Sequence, residues 1–324
     1  MTWLVTGGAG YIGAHVVRAF LAEGIEVAVV DDLSTGHRDF VPQSVPFLEA
    51  DVNDVPALAG FMSEQAVTGV VHVAGFKYAG VSVSEPLRTY RTNVAGTAAV
   101  LEAMEAAGVE AIVFSSSAAV YGTPDVETVT EDTPTAPESP YGESKLIGEW
   151  LLADQGRARG IRHTSLRYFN VVGSGTAELA DTSPHNLFPL VFAALAEGRT
   201  PRINGEDYPT PDGTCVRDYV HVADLAAAHV VAARRLAAGE ELRPVYNLGS
   251  GAGTSVRQIV EAILAEAGAD VVPEMHPRRP GDPARIVADG SAAAADLGWA
   301  MRHSLDQMVS SAWQAHRRAS TASS

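Results

Sequence analysis

The chain has 324 residues, 46% hydrophobic and 19% charged, the balance of a globular protein with a substantial core in one large domain or two smaller ones. A formal net charge of -16 argues against a nucleic-acid or anionic-membrane footprint, so an anionic ligand needs a local basic pocket. Cys215 stands alone, which excludes an intramolecular disulfide and a cysteine-rich metal site and fits a reducing compartment. With no basic n-region or apolar h-region ahead of Thr2, and no apolar run near the ~18 residues of a membrane span, a cytoplasmic protein is expected.

Thr2 to Thr6 reads as a strand. It is followed by Gly7-Gly8-Ala9-Gly10-Tyr11-Ile12-Gly13 and then by a helix whose apolar face is Ile12, Val16, Val17, Phe20 and Leu21, ending at Gly24. In a strand, glycine turn and helix of this kind the backbone approaches a pyrophosphate at the amide-rich helix N-terminus. The candidate cofactor contacts are Gly7, Gly10, Tyr11, Ile12 and Gly13. A second strand from Glu26 to Val30 ends in Asp31, 18 residues past Gly13, near the ~20 expected for the acid that takes a ribose hydroxyl pair. Asp31 and Asp32 would repel a 2′-phosphate, favouring NAD over NADP, while His37 and Arg38 leave the alternative open.

The alternation continues through Val45 to Leu48, a helix from Val55 to Gln65, a strand from Val67 to Val73, a helix from Pro86 to Ala107 and a strand from Ala111 to Ser115. Repeated βα units predict an α/β fold, a Rossmann-like doubly wound parallel sheet with a smaller C-terminal α/β substrate-binding domain. Ligands lie at the carboxyl ends of such strands, which puts Asp51, Val52, Ala74 to Lys77 and Ser115 to Ser117 beside the cofactor. Asn93 on the long helix joins that set. Lys77 reads equally as a solvated loop lysine, and His72 as a packed strand-end histidine. On the Pro86 to Ala107 helix, the seam of Leu87, Tyr90, Val94, Leu101 and Met104 is most simply core; any exposed part is a candidate dimer surface.

A proline-punctuated loop from Thr123 to Pro140 delivers Tyr141 to a helix running to about Arg157, with Lys145 one turn on and on the same face. A phenol with a reference pKa of ~10 needs a drop of ~3 units, or ~4 kcal/mol, to act as a base near neutrality. A positive charge at ~4 Å supplies about that much at an effective dielectric of ~20. A strand from His163 to Leu166 then runs into Arg167-Tyr168-Phe169-Asn170. Residues Val171 to Thr214, with a helix from Leu187 to Glu197, look like a separate lobe. A helix from Asp224 to Ala237 and a strand at Tyr246 to Gly249 return to the sheet. Helices from Val256 to Ala267 and Leu305 to His316 follow, with a frayed tail at 319–324. The expected division is 1–168 plus about 215–250 for the cofactor domain, and about 169–214 plus 251–318 for the substrate domain.

With Gly7-x-x-Gly10-x-x-Gly13, the Ser115 to Gly122 segment, Tyr141-x-x-x-Lys145 and Arg167 to Asn170 in this order, the chain resembles the extended short-chain dehydrogenase/reductase family. Ala74 to Lys77, Pro184 to Leu187, Asp207 to Thr210 and Asp212 to Tyr219 are similar to its UDP-hexose 4-epimerase branch. The related 4,6-dehydratases carry Thr-Asp-Glu where this chain has Ser117-Ala118-Ala119, so the acid pair that eliminates water is missing. The resemblance implies reversible 4-epimerisation of UDP-galactose and UDP-glucose, by transient NAD-dependent oxidation at C4′ to a 4-keto sugar, in a homodimer.

It also implies residue roles. Tyr141 takes the 4′-hydroxyl proton, Lys145 lowers the Tyr141 pKa and binds the nicotinamide ribose, and Ser117 bonds the same hydroxyl. Tyr168 completes the cofactor set. Asn170, Asn186, Leu187, Arg217 and Arg279 anchor the UDP, with Asp282 near the uridine ribose and Lys77 also near the sugar. Ile286, seven positions past Arg279, corresponds to a gate that is large in enzymes confined to glucose and galactose and small in those accepting N-acetylhexosamines. Its intermediate size implies UDP-galactose and UDP-glucose as main substrates with weak N-acetyl activity. Epimerisation of another UDP sugar, a glucuronate or pentose, is the alternative. A catalytically silent NAD-binding regulator predicts damage to Ser117, Tyr141 and Lys145, and all three are intact.

Overall fold

In the computed structural model, which describes residues 1–279 and 282–322, the alternation of sequence becomes one parallel sheet. Among the described residues its seven strands hydrogen-bond in the order Val245–Leu248, Arg162–Tyr168, Ala111–Ser117, Val67–His72, Thr2–Thr6, Glu26–Asp31 and Phe47–Glu49. Side chains of Thr2–Thr6 alternate between its faces. Trp3 and Val5 enter the core beneath the Tyr11–Ala22 and Val222–Ala237 helices, and Leu4 the one beneath Val55–Glu64 and Gly96–Ala107. The order reverses between Thr2–Thr6 and Val67–His72, which opens a crevice at their carboxyl ends.

Several boundaries differ from expectation. The strands to Ser117 and from Arg162 to Tyr168 run longer, because each residue pair from Ala111↔Arg162 to Ser117↔Tyr168 finds a partner across the sheet. The segment from Pro86 to Ala107 is helical throughout but contains a π turn at Arg91–Ala95. Leu87, expected in its core seam, is 68% exposed, whereas Leu101 and Met104 are buried. The final helix runs Leu305–Ala322, so residues 319–322 continue it where a frayed tail was expected; Ser323 and Ser324 lie outside the described residues.

A second core, with Phe188, Phe192, Tyr219, Ile259, Ile263 and Met308, lies beyond the big sheet. Its framework is a small sheet in which Val216–His221 pairs with Gly253–Ser255, Arg285–Ile286 and Asn170–Val172. The chain rejoins the large sheet only with the helix Val222–Ala237 and strand Val245–Leu248.

Candidate active site

The crevice begins at the glycine turn. Gly7 has φ +70°, and a Cβ there would lie 2.7 Å from the Ala74 nitrogen; a Cβ on Gly13 would lie 2.0 Å from the Gly7 carbonyl oxygen. The turn closes this tightly because those side chains are absent, leaving the N-terminus of the Tyr11–Ala22 helix open to a ligand. Asp31, at the end of the next strand, accepts from the Ala9 and Leu33 backbone N–H groups at 2.9 Å each, and Asp32 accepts from Ser34 N–H at 2.9 Å. Both carboxylates thus hold their turn and also line the cavity. Burial pushes the Asp31 pKa up, its backbone hydrogen bonds opposing.

Tyr141 enters on a well-defined helix start. Ser139 caps Pro140–Arg159, accepting from Gly142 N–H at 3.2 Å, Pro140 stands in the first turn, and Gly160 closes the far end at φ 76°. A short helix missed in the sequence, Ala79–Ser84, supplies Ser82, whose hydroxyl accepts from Tyr141 N–H at 3.2 Å. Lys145 is buried and donates to the Ser115 carbonyl at 2.9 Å, with its ammonium 5.0 Å from the Phe114 ring centroid. Ser117 ends its strand, its hydroxyl accepting from Ala119 N–H at 3.2 Å and, near the Tyr141 phenol, working against the rise in that group's pKa.

The electrostatics differ from the expected tuning. Burial raises the Tyr141 pKa, and the opposing influence is the Ser117 hydroxyl, not Lys145. The ammonium is drawn to the Ser115 carbonyl and lies 5.9 Å from the Tyr141 ring centroid. The Lys145 pKa falls to about 8, because burial penalises its charge while Glu149 partly restores it.

Glycine turn, acids, Tyr141, Lys145 and Tyr168 line one cavity of about 920 Å³. Asp51, Val52, Ala74 and the exposed Lys77 share its wall, and it reaches Asn170, Asn186, Leu187, Arg217, Arg279 and Asp282 in the second lobe. There Arg217 forms an ion pair with Asp282, while Asn186 donates to Asp181 at 2.8 Å. Ser34, Tyr78, Phe169, Phe188 and His185 line it too without having been foreseen. Tyr78 and His185 meet edge to face at 4.6 Å, a contact of residues 107 apart that no local pattern announces.

Four expected contacts lie off the wall: Ser117, which ends its strand behind Tyr141, and Asn93, Ser115 and Ile286. Asn93, from the π turn, donates to the Phe76 carbonyl at 3.0 Å and Ser144 Oγ at 2.8 Å and accepts from Phe76 N–H at 2.6 Å, so it clamps the Ala74–Lys77 loop. Ser115 is buried in its strand, with its hydroxyl 2.9 Å from His229 Nε2. Ile286 pairs with the Val216–His221 strand and packs in a buried cluster with Phe169 and Leu146, a layer behind the cavity. His72 is the packed histidine anticipated, held between Thr6 at 2.7 Å and Thr97 at 3.1 Å.

A glycine cradle at the switch point of a parallel sheet, joined to the buried Lys145 and the half-buried Tyr141 and Ser117, defines a dinucleotide-binding α/β enzyme of the Rossmann type. Residues 3–249 match the model of the NAD dependent epimerase/dehydratase family, and the chain belongs to that family. It is 44% identical to a UDP-glucose 4-epimerase of Azospirillum brasilense over 95% of this chain and 90% of the relative. It is 43% identical to one of Corynebacterium glutamicum, over 97% and 95%. Among solved structures, the UDP-glucose-4-epimerase of Stenotrophomonas maltophila with bound NAD and formylated UDP-arabinopyranose superposes with a TM-score of 0.94 at 39% identity, covering 99% of each chain. The UDP-Glc/GlcNAc 4-epimerase of Campylobacter jejuni gives 0.85 at 35% identity, covering 98% of this chain and 99% of that one.

Proposed function

We propose that the protein interconverts UDP-galactose and UDP-glucose by NAD-dependent 4-epimerisation. The observation that carries this reading is the single cavity running from the glycine turn, past Tyr141 and Lys145, to the arginines of the second lobe. It has room for a dinucleotide and a nucleotide sugar meeting at Tyr141. Gly7, Gly10, Tyr11, Ile12 and Gly13 hold the pyrophosphate, Asp31 and Asp32 the adenosine ribose, and Asp51, Val52, Ala74, Lys77 and Tyr168 flank the remainder. NAD, when bound there, would supply the reversible hydride acceptor that epimerisation at C4′ needs.

Tyr141 removes and returns the proton at O4′, and Ser117 orients that hydroxyl while keeping the phenol oxygen a hydrogen-bond acceptor. Lys145 holds positive charge beside the nicotinamide ribose. Arg217 exchanges Asp282 for the diphosphate and Arg279 closes on its other side, with Asn170, Asn186, Leu187 and Asp282 holding the rest of the UDP. A firmly held UDP lets the hexose turn over between its two faces. Ile286 acts through Phe169, so N-acetylhexosamines react weakly.

The chain divides into 1–168 plus about 215–250 for the cofactor and about 169–214 plus 251–318 for the sugar nucleotide, with Val216–His221 in the seam. We place it in the cytoplasm. Among the described residues, no helix is long and apolar enough to cross a membrane. Val83, Leu87 and Trp150, 64%, 68% and 56% exposed, support a homodimer built on the Pro86–Ala107 and Pro140–Arg159 region; sedimentation at the mass of one chain would sink it.

The test is product chromatography on a panel of UDP sugars with no added metal. UDP-galactose should become UDP-glucose with no net NADH. A 4,6-dehydrated or decarboxylated product in its place overturns the reading. Equal turnover of the N-acetylated pair overturns the selectivity, and preferential turnover of a pentose or glucuronate would favour that alternative.

A further inference from the structure

One helical turn past Lys145, Glu149 sits in a polar network that the reaction as described does not use. Its side chain is 9% exposed. One carboxylate oxygen accepts from Ser116 Oγ at 2.5 Å and Arg167 Nε at 2.9 Å, and the other from Arg167 Nη2 at 2.6 Å. Arg167 in turn donates to the Tyr121 hydroxyl at 2.9 Å, which donates to Asn247 Oδ1 at 2.7 Å. The same helix therefore grips two successive strand residues: Lys145 holds the Ser115 carbonyl and Glu149 the Ser116 hydroxyl. The next residue is Ser117.

We propose that Glu149 is a positioning residue of the active site, fixing through Ser116 the strand end that presents Ser117 and supplying across one helical turn the negative charge that the Lys145 ammonium faces. The other groups around Lys145 offer no such compensation. Tyr141 lies a turn before it, Phe114 and the Ser115 carbonyl come from the adjacent strand, and His72, whose pKa is lowered to about 3 by burial and then by Lys145, comes from the strand beyond. Arg167, paired to Glu149, is itself cationic. Glu149 is also the charge that works against the burial-driven fall of the Lys145 pKa. Without it Lys145 sheds its proton at lower pH, and the cation that the proposed epimerase chemistry needs is lost from the alkaline side.

The chain contains two lysines, Lys77 and Lys145, so lysine labelled with ¹³C at Cε gives two side-chain signals from the NAD-loaded protein. In Glu149→Gln the Lys145 midpoint should fall by about two pH units, the shift for losing a charge one helical turn (~6 Å) away at an effective dielectric of ~20. The alkaline limb of kcat/KM should move with it, and the Lys77 signal should stay in place. Arg167→Gln, which removes the opposite charge, should move the Lys145 midpoint upward, and Glu149→Asp should keep it. A purely structural role predicts lower thermal stability with an unmoved Lys145 midpoint, and that result in folded Glu149→Gln overturns the proposal. Should Glu149→Gln fail to fold, an unmoved or lowered midpoint in Arg167→Gln overturns it instead. The inference rests on the proposed epimerase reading only for the kcat/KM limb: absence of turnover in the unsubstituted chain removes that reading and leaves the Lys145 titration to stand or fall separately.

Discussion

Tyr141 is half-buried, and burial alone would keep its proton on; what opposes this is the Ser117 hydroxyl, with Lys145 turned toward the Ser115 carbonyl. Without a bound ligand the phenol therefore keeps its proton, and to act as the base of the proposed reaction it must first give that proton up and work as the phenolate. Tyr141→Phe keeps the ring and removes only the oxygen, so turnover should fall by ~10²–10⁴-fold with the fold intact, the usual range for a positioned acid-base group. Single-turnover conversion of UDP-galactose measures this, and an unchanged rate would remove Tyr141 from the role. At the same scale Glu149 was readable as a residue four past Lys145. Its purpose was not, because Arg167 and Ser116 come from two different strands.

Among elements, the glycine turn carries the sharpest local information. Gly13 permits the first turn of the Tyr11–Ala22 helix to lie on the Gly7 carbonyl, where a methyl group would sit 2.0 Å from the oxygen. Backbone cannot retreat as a flexible side chain would. Gly13→Ala should cost ~1–3 kcal/mol or more of stability by overpacking, and the displaced turn should abolish NAD retention. Absorbance of released cofactor after denaturation, together with a melting curve, checks both; full NAD occupancy would show that the turn tolerates the methyl. The π turn at Arg91–Ala95 is the counterexample to such local legibility. It keeps helical periodicity on both sides while rotating Asn93 onto the Phe76 backbone, an adjustment driven by tertiary hydrogen bonds.

Across the whole molecule, four buried histidines link fold to pH. The His72 pKa is held down to about 3 and those of His15, His221 and His229 to about 4, burial being the leading cause in each. Their unfolded imidazoles titrate near ~6.5, so below that value the unfolded chain binds more protons and stability is lost as pH falls. Each contributes a loss of ~2 kcal/mol by about pH 5. Asp31 and Asp218, raised by burial, act oppositely but only near the carboxylate range. Melting temperature should therefore drop steeply between about pH 6.5 and 4.5, and a flat profile across that interval would rule this out. The net charge of -16 makes the cavity's Lys77, Lys145, Arg217 and Arg279 a local exception, as a diphosphate ligand requires.

The α/β alternation, the glycine turn, the acid at the second strand end, the Tyr141 and Lys145 spacing and the family were all legible in the chain by itself, because each is a local pattern of periodicity or spacing. Tertiary structure alone decided which of the nominated residues reach the cavity. Asn93, Ser115, Ser117 and Ile286 lie off its wall, since a polar or apolar group takes whatever partner the neighbouring element presents. It also decided the charge environment of Tyr141 and Lys145. A pKa depends on burial and on distances of a few ångströms between elements far apart in sequence, and the spacing that first marks these two residues carries neither.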